Sequence, residues 1–286
     1  MKISRLLEQD KITISFEVFP PKKAEKFEAV KTASEKIAEL HPDFMSVTYG
    51  AGGSTAGFTA ELAAELKKDT GVPVLPHLTC VGSSKEHANR MIDTYIREGI
   101  DNIMVLRGDI PSDGIIEQDF AHASDLIAYI KEKTDLCIGG ACYPEGHIES
   151  VNKNADLKYL KAKVDAGCDF LTTQMFFDNN IFYNFLYRAR EAGIRVPVLA
   201  GIMPITNAKQ LSRSVALSGT NVPERFRAIV DTFADNPAAM KQAGIVYASE
   251  QIIDLIANGV KHIHVYSMNK PDVAAGILNN LSEILR

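Results

Sequence analysis

The chain has 286 residues, 46% of them hydrophobic, and a formal net charge of −5. That length and apolar share suffice for a large buried core, and the ordinary Gly and Pro numbers exclude a fibrous or disordered protein. No dense Lys/Arg stripe is present, which speaks against nucleic-acid binding, and no apolar run approaches the ~18 residues needed to span a membrane.

The opening residues, MKISRLLEQDK, are too polar for a secretory signal, so a cytoplasmic protein is expected. The four cysteines, Cys80, Cys137, Cys142 and Cys168, form no Cys-x-x-Cys pair and lie in or beside apolar runs. They read as reduced, partly buried thiols, not metal ligands.

Short β-rich runs recur in chain order: ITISFEVF from Ile12, FMSVTY from Phe44, VLPHLTC from Val74, NIMVLRG from Asn102, LCIGGACY from Leu136, FLTTQMFF from Phe170, VLAGIMP from Val198 and HIHVYSMN from His262. Their Val, Ile, Phe, Tyr and Thr content predicts strands. Helical periodicity fills the gaps. From Phe27 to Leu40, Val30, Ala33, Ile37 and Leu40 share a face; from Ser84 to Gly99, Met91, Ile92, Tyr95 and Ile96 form an apolar stripe. Successive strands start about 30 residues apart, the step expected when about 250 residues are shared over eight β–α units. The last step is twice as long and carries extra helical material from Ala208 to Gly259, broken at Asn236-Pro237. Alternating strands and helices imply parallel pairing. The pattern predicts an α/β fold: one (β/α)8 TIM barrel over 1–286 with a C-terminal helix from Pro271, with an open doubly wound sheet as the rival.

In such a barrel the chemistry sits at the C-terminal ends of the strands, and polar residues gather there. The first strand ends at Glu17, the third carries His77 and Thr79, and the fourth ends Arg107-Gly108-Asp109. The fifth ends at Tyr143, with Glu145 and His147 beyond; the sixth carries Gln174; the eighth ends at Tyr266 and Asn269. Strand alternation puts Ile14, Phe16 and Val18 on one face and Thr13, Ser15 and Glu17 on the other. The apolar face should meet the helices, which aims Glu17 at the barrel axis. Shielding from water tends to raise a carboxyl pKa, and a carboxyl that keeps its proton can act as a general acid. The bland alternative is an ion pair with Arg107. Asp109 has two readings, a loop hydrogen-bond acceptor or a charge beside a cofactor, and His77 could be a satisfied interior histidine. The loop Gly50-Ala51-Gly52-Gly53-Ser54-Thr55 could approach a phosphate, yet it lacks the spacing of a dinucleotide fingerprint or a P-loop. No metal-ligand spacing, Gly-x-Ser-x-Gly elbow or obvious Schiff-base lysine is present, which leaves chemistry carried by an organic cofactor.

The residues that carry a family resemblance are Phe16–Pro21 (FEVFPP), Ser46–Ser54 (SVTYGAGGS), Pro76–Cys80 (PHLTC), Leu106–Asp109 (LRGD), Tyr143–His147 (YPEGH), Thr173–Asp178 (TQMFFD), Gly201–Pro204 (GIMP) and His264–Tyr266 (HVY). In this order, across nearly the whole chain, they closely resemble the methylenetetrahydrofolate reductase family. The resemblance implies a flavin-containing (β/α)8 barrel that reduces 5,10-methylenetetrahydrofolate to 5-methyltetrahydrofolate. NADH or NADPH reduces the flavin and leaves, and the folate then takes a hydride in the same pocket. Glu17 matches the acid that assists opening of the folate's five-membered ring, and Asp109 matches a carboxylate beside flavin and pterin. Thr48, Ala51, His77, Arg107, Gly108, Asp109, Tyr143, His147, Asp156 and Lys163 match positions that hold FAD. Gln174, Tyr266 and Lys270, with Glu17, match substrate contacts. Tyr159 and Ala162 stand where one branch of the family has Asn and Arg near the FAD diphosphate, and Lys270 replaces a common Arg, losing its bidentate fork. These departures leave FMN open beside FAD. The resemblance further implies a homo-oligomer, no regulation by S-adenosylmethionine through an appended domain, and, in anaerobic relatives, an electron-transfer partner protein in place of the nicotinamide. The rival functions are a flavin barrel acting on another substrate, in the manner of proline dehydrogenase, and a non-redox pterin-binding barrel.

Overall fold

The structure is a computed structural model that describes residues 1–50, 55–109 and 118–285. In chain order it runs α1 (Ile3–Leu7), β1 (Thr13–Val18), a 3-10 turn, α2 (Phe27–Ala38), β2 (Phe44–Val47), α3 (Ala56–Thr70), β3 (Val74–Thr79), α4 (Lys85–Arg97), β4 (Asn102–Leu106) and α5 (Ala123–Lys133). It continues with β5 (Cys137–Cys142), α6 (Lys153–Asp165), β6 (Phe170–Thr173), α7 (Asn179–Glu191), β7 (Val198–Ile202), α8 (Ala208–Ser218), α9 (Glu224–Phe233), α10 (Pro237–Ala257), β8 (His262–Tyr266) and α11 (Pro271–Asn280). The strands close in sequence order, β1 pairing with β8, and all pairs are parallel. The open-sheet rival is thereby removed, and each of the eight strand expectations coincides with a strand.

Local chemistry sets the helix starts. The Ser84 hydroxyl accepts the His87 N–H at 3.1 Å and opens α4. Asn152, Asp178 and Asn207 cap α6, α7 and α8 in the same way, each satisfying N–H groups that have no partner in the first turn. At the expected break, Asn236 caps α10 and Pro237 takes its first position, where a missing N–H costs nothing. Two expected helix faces are rotated slightly. Ile96 is 49% exposed, so the buried face of α4 is Ala88, Met91, Ile92 and Tyr95. On α2 the buried residues are Phe27, Ser34, Ile37 and Ala38, with Val30 packed beside them.

Two apolar layers follow from strand alternation. Outward side chains such as Ile14, Phe16 and Val18 pack under the helices in the larger core. Inward, the lower barrel is filled by Phe44, Leu75, Met104, Phe170 and Leu199, and Ile3, Leu6 and Leu7 of α1 close it from below. Gly139 makes room here, because a Cβ on it would lie 2.6 Å from the Phe170 ring. The barrel is therefore a sealed cup whose polar interior lies toward the upper end. The helical insertion between β7 and β8 packs on the loops after β6 and β7 through Met175, Phe177, Ile205, Phe226 and Met240. All four cysteines are buried and free, as their sequence setting suggests.

The insertion depends on one close approach: a Cβ built on Gly244 of α10 would lie 1.7 Å from the Ile205 carbonyl oxygen. Gly244→Ala would add up to about 1 kcal/mol of helix propensity. The clash is with backbone that cannot rotate away, and overpacking of this kind costs about 1–3 kcal/mol. A lower urea midpoint is expected for Gly244→Ala; a raised midpoint would show that the contact yields freely.

Candidate active site

The register of β1 aligns Glu17 with Ser46 of β2 on one side and Tyr266 of β8 on the other. Glu17 therefore points into the cup above its apolar floor, as the alternation requires. Its side chain is 21% exposed, so the carboxyl group keeps one face toward the open mouth. Glu17 Oε2 lies 3.7 Å from Nε2 of both His77 and His264, and Ser46 Oγ lies 3.4 Å from the same oxygen. Neighbouring loops hold this residue in place. The Ser267 hydroxyl donates to the Glu17 carbonyl at 2.5 Å. The Asn269 amide clamps the Phe19 backbone, accepting from its N–H at 2.9 Å and donating to its carbonyl at 2.8 Å. Asn269 can do this because it and Met268 adopt left-handed backbone, which Asn tolerates better than most residues.

Arg107 is not the partner of Glu17. Its guanidinium forms a two-pronged pair with Glu149, one prong at 2.9 Å, which leaves histidines as the basic groups beside the acid. His77 is buried, and burial pushes its pKa down to about 4, outweighing the opposite pull of Glu17, while His264 adds to the fall. His77 is an interior histidine, and it faces the acid. Tyr266 reaches over Gly201 of β7 to donate to the Thr173 carbonyl of β6 at 2.5 Å. A Cβ on Gly201 would stand 2.8 Å from that hydroxyl. Burial raises the Tyr266 phenol well above its ordinary value, and the nearby Glu17 adds to the rise.

A second group of residues lines the rim above β4, β5 and α6. Gly108 turns with φ +86°, and a Cβ there would lie 2.8 Å from Thr79 Cβ, so only glycine fits. Asp109 follows it and is exposed. Tyr143 and His147 meet edge to face with ring centroids 4.6 Å apart. Burial pushes the Tyr143 phenol up to about 12, with Arg107 opposing and Asp156 and Asp109 adding to the rise. Asp156 accepts the Ser150 hydroxyl at 2.9 Å. Lys163 extends its stem along Gly140 and donates to the Ala141 carbonyl at 2.6 Å; burial lowers its pKa.

Backbone bonds place the remaining expected residues. The Gln174 N–H donates to the Cys142 carbonyl at 2.7 Å, which continues the β5–β6 pairing, and its side-chain oxygen accepts the Met175 N–H. Thr48 continues the β1–β2 pairing, its N–H donating to the Val18 carbonyl at 3.0 Å. Lys270 donates to the Thr206 hydroxyl at 2.7 Å, joining the loops after β7 and β8. Ala51 lies outside the described residues.

Among the expected residues, His77 and Tyr266 form an axial group around Glu17, and Gly108, Asp109 and His147 join Arg107 and Tyr143 in a rim group, while Thr48, Gln174 and Lys270 are tied to neighbouring strands and loops. Sequence reasoning missed His264, Ser46 and Ser15 as members of the axial group. The signal was present for His264, which stands two residues before Tyr266 and so shares its face. The rim suits a planar ligand carrying negative charge: Arg107 stands near the Tyr143–His147 pair and a glycine turn with no side chain to obstruct approach, and Lys163 lies against β5 on the Ala141 carbonyl. A flavin nucleotide has these properties, and an incoming phosphate would compete with Glu149 for Arg107.

The sequence model of the family described as Methylenetetrahydrofolate reductase matches residues 2–282. The chain is 34% identical over 274 residues to the 5,10-methylenetetrahydrofolate reductase of Escherichia coli (strain K12), covering 96% of this chain and 92% of that protein. It is 36% identical over 298 residues to Methylenetetrahydrofolate reductase (NADH) 1 of Arabidopsis thaliana, covering 99% of this chain and 50% of the plant protein. The chain therefore spans about half the length of its plant relatives and most of its bacterial ones. Among solved structures, an uncharacterized protein from Clostridium thermocellum, described as binding two copies of 5-methyl-5,6,7,8-tetrahydrofolic acid, superimposes with a TM-score of 0.64 at 15% identity. That alignment covers 100% of this chain and 99% of the other, and it shows the fold alone.

The buried His77 makes stability depend on pH. Its folded pKa of about 4 lies below the ordinary 6.5, so between these values the unfolded chain binds more protons. Its contribution is complete above pH 6.5 and is lost as the pH falls toward 4. Denaturant unfolding of His77→Gln, compared with the parent chain across this window, should show a shallower loss of stability; equal slopes would show that His77 does not titrate as its burial requires.

Proposed function

Because the chain belongs to the methylenetetrahydrofolate reductase family, we propose that it reduces 5,10-methylenetetrahydrofolate to 5-methyltetrahydrofolate, with NADH as the electron source and FAD held at the barrel mouth. The observation that carries this reading is the carboxyl group of Glu17, fixed at the axis of a sealed cup beside two imidazoles and open on the side from which a ligand enters. The plant relatives named for NADH support that nucleotide over NADPH.

A flavin held at the barrel mouth would supply the redox chemistry between nicotinamide and folate. The chain's own residues do the rest. Glu17 gives a proton to the folate nitrogen that leaves when the five-membered ring opens. His77, uncharged at neutral pH, borders the carboxyl group without forming a fixed ion pair with it. Arg107 and Lys163 neutralise the cofactor's phosphates, and Tyr143 with His147 gives an aromatic wall beside Gly108. Thr48 and Asp156 complete the cofactor's polar surroundings. Asp109 stands at the mouth, where its charge bears on the electron-accepting ring, and Gln174, Tyr266 and Lys270 border the pterin. The apolar floor keeps water from entering below.

The test is an anaerobic titration of purified protein. It should be yellow, bleach with NADH, and regain colour when methylenetetrahydrofolate is added; a colourless protein that takes up no FAD would support a non-redox pterin-binding barrel instead. Glu17→Gln should still bleach with NADH but lose the second half-reaction by about 10²–10⁴-fold, the usual range for a general acid. Asp109→Asn should raise the flavin potential, because it removes a negative charge beside the group that accepts electrons; an unchanged potential in a redox titration would place Asp109 away from that group.

A further inference from the structure

The carboxyl group of Glu17 is only loosely held by its own neighbours. Among the described residues the hydroxyl nearest to it is Ser46 Oγ, 3.4 Å from Oε2, beyond the roughly 2.5–3.0 Å usual for such a bond, and both imidazoles stand at 3.7 Å. Its place is therefore set through the backbone of β1. That backbone divides its bonds between two neighbours. The Ile14 and Val18 carbonyls accept from Asp43 and Thr48 on the β2 side. Thr13, Glu17 and Phe19 turn theirs to the β8 side. Low on this seam side chains already reach across, with Ser15 Oγ 2.8 Å from His264 Nδ1. At the top, β8 ends at Tyr266, opposite Glu17. Past that point two side chains stand in for the missing strand. The Ser267 hydroxyl donates to the Glu17 carbonyl at 2.5 Å. The Asn269 amide, which carries a donor and an acceptor as a peptide group does, accepts the Phe19 N–H at 2.9 Å and donates to the Phe19 carbonyl at 2.8 Å.

The backbone that presents this amide is strained. Met268 and Asn269 have φ of +55° and +53°. Asn accepts that conformation better than most residues and Met does not, yet neither position holds the glycine that would adopt it freely. Strain kept where glycine would relieve it points to a task for a side chain. The Lys270 N–H donates to the Ser267 carbonyl at 3.1 Å, which closes the turn without any help from the Asn269 amide. The amide is spent entirely on Phe19, two residues after the acid.

We propose that Asn269 is a positioning residue for the acid: its side-chain amide carries the β1–β8 ladder one rung past the end of β8 and so fixes where the Glu17 carboxyl group stands for the folate half-reaction. This rests on the reading of Glu17 as the proton donor. Asn269 touches neither folate nor cofactor in this role; it acts through the β1 backbone. A turn-forming residue and a positioning residue make different demands at this place. If the turn alone mattered, glycine would serve as well as asparagine or better. If the amide matters, glycine keeps the backbone and loses the function.

Asn269→Gly is the deciding variant. Without any ligand, hydrogen exchange of the Phe19 amide, read by NMR, should quicken by about 10-fold or more, because its only partner is gone. On the flavin-loaded protein the maximal rate of the folate half-reaction should fall by about 10- to 100-fold, while the folate concentration at half-maximal rate and the reduction of flavin by NADH each change by less than about twofold. Asn269→Asp, which keeps the shape and the acceptor but loses the donor to the Phe19 carbonyl, should show the same selective loss, and it carries the test if the glycine variant does not fold. In a Glu17→Gln background Asn269→Gly should add less than about a twofold loss, since both act through one group. An unchanged folate rate, equal losses in the two half-reactions, or a full further loss in the Glu17→Gln background overturns the proposal alone. Normal folate reduction by Glu17→Gln overturns the reading of Glu17 as acid and the catalytic part of the proposal with it.

Discussion

A carboxyl group inside a closed barrel is the constraint around which this site is arranged. The two-residue alternation of β1 sends Glu17 inward because Phe16 and Val18 must go outward to the helices. Once inside, the group cannot rely on bulk water for all its hydrogen bonds, and an unpaired charge in such a place is strongly destabilising. The surroundings meet that demand with imidazoles and a hydroxyl, not with a guanidinium. A fixed ion pair with Arg107 would have favoured a carboxylate there. Arg107 is instead paired with Glu149 on the rim.

The vertical division of the barrel makes the polar site tolerable. Below the axial group the cup is filled with Phe44, Leu75, Met104, Phe170 and Leu199 and stoppered by α1. Interiors packed in this way admit little water and deform reluctantly. The charged and hydrogen-bonding groups are confined to the upper end, where loops rather than strands complete their partnerships. Asn269, Ser267 and Tyr266 tie the end of β8 to β1 and β6, so the mouth is braced across the barrel and not only along neighbouring strands.

The rim and the axis divide the work by charge. Arg107 and Lys163 bring positive charge to the side of β4, β5 and α6, whereas the axial group holds one carboxyl among polar neighbours. A ligand spanning both would have a negatively charged part and a neutral, proton-accepting part. Burial acts differently on the two cations: Arg107 keeps a carboxylate partner, while Lys163 is left on a backbone carbonyl and its pKa falls. The groove between α6 and α7, lined by Leu157, Lys158, Lys161 and Arg188, is a separate feature of the outer helical layer.

The strands, their order and the inward face of Glu17 were legible in the sequence, because strand periodicity and β–α spacing are local properties that each segment displays by itself. The polar strand ends could be read in the same way, since a barrel places every strand end on one rim. The partners of those residues could not. Arg107 and Glu149 are 42 residues apart, and Ser15 and His264 are 249 apart. Nothing local says which of several cations or hydroxyls will be opposite when the sheet closes, and the register of β1 on β8 decides it. The amino-acid order by itself determined that an acid would stand inside a barrel; closure of the β1–β8 seam decided that His264 would stand beside it, because only a closed sheet brings the first strand against the last.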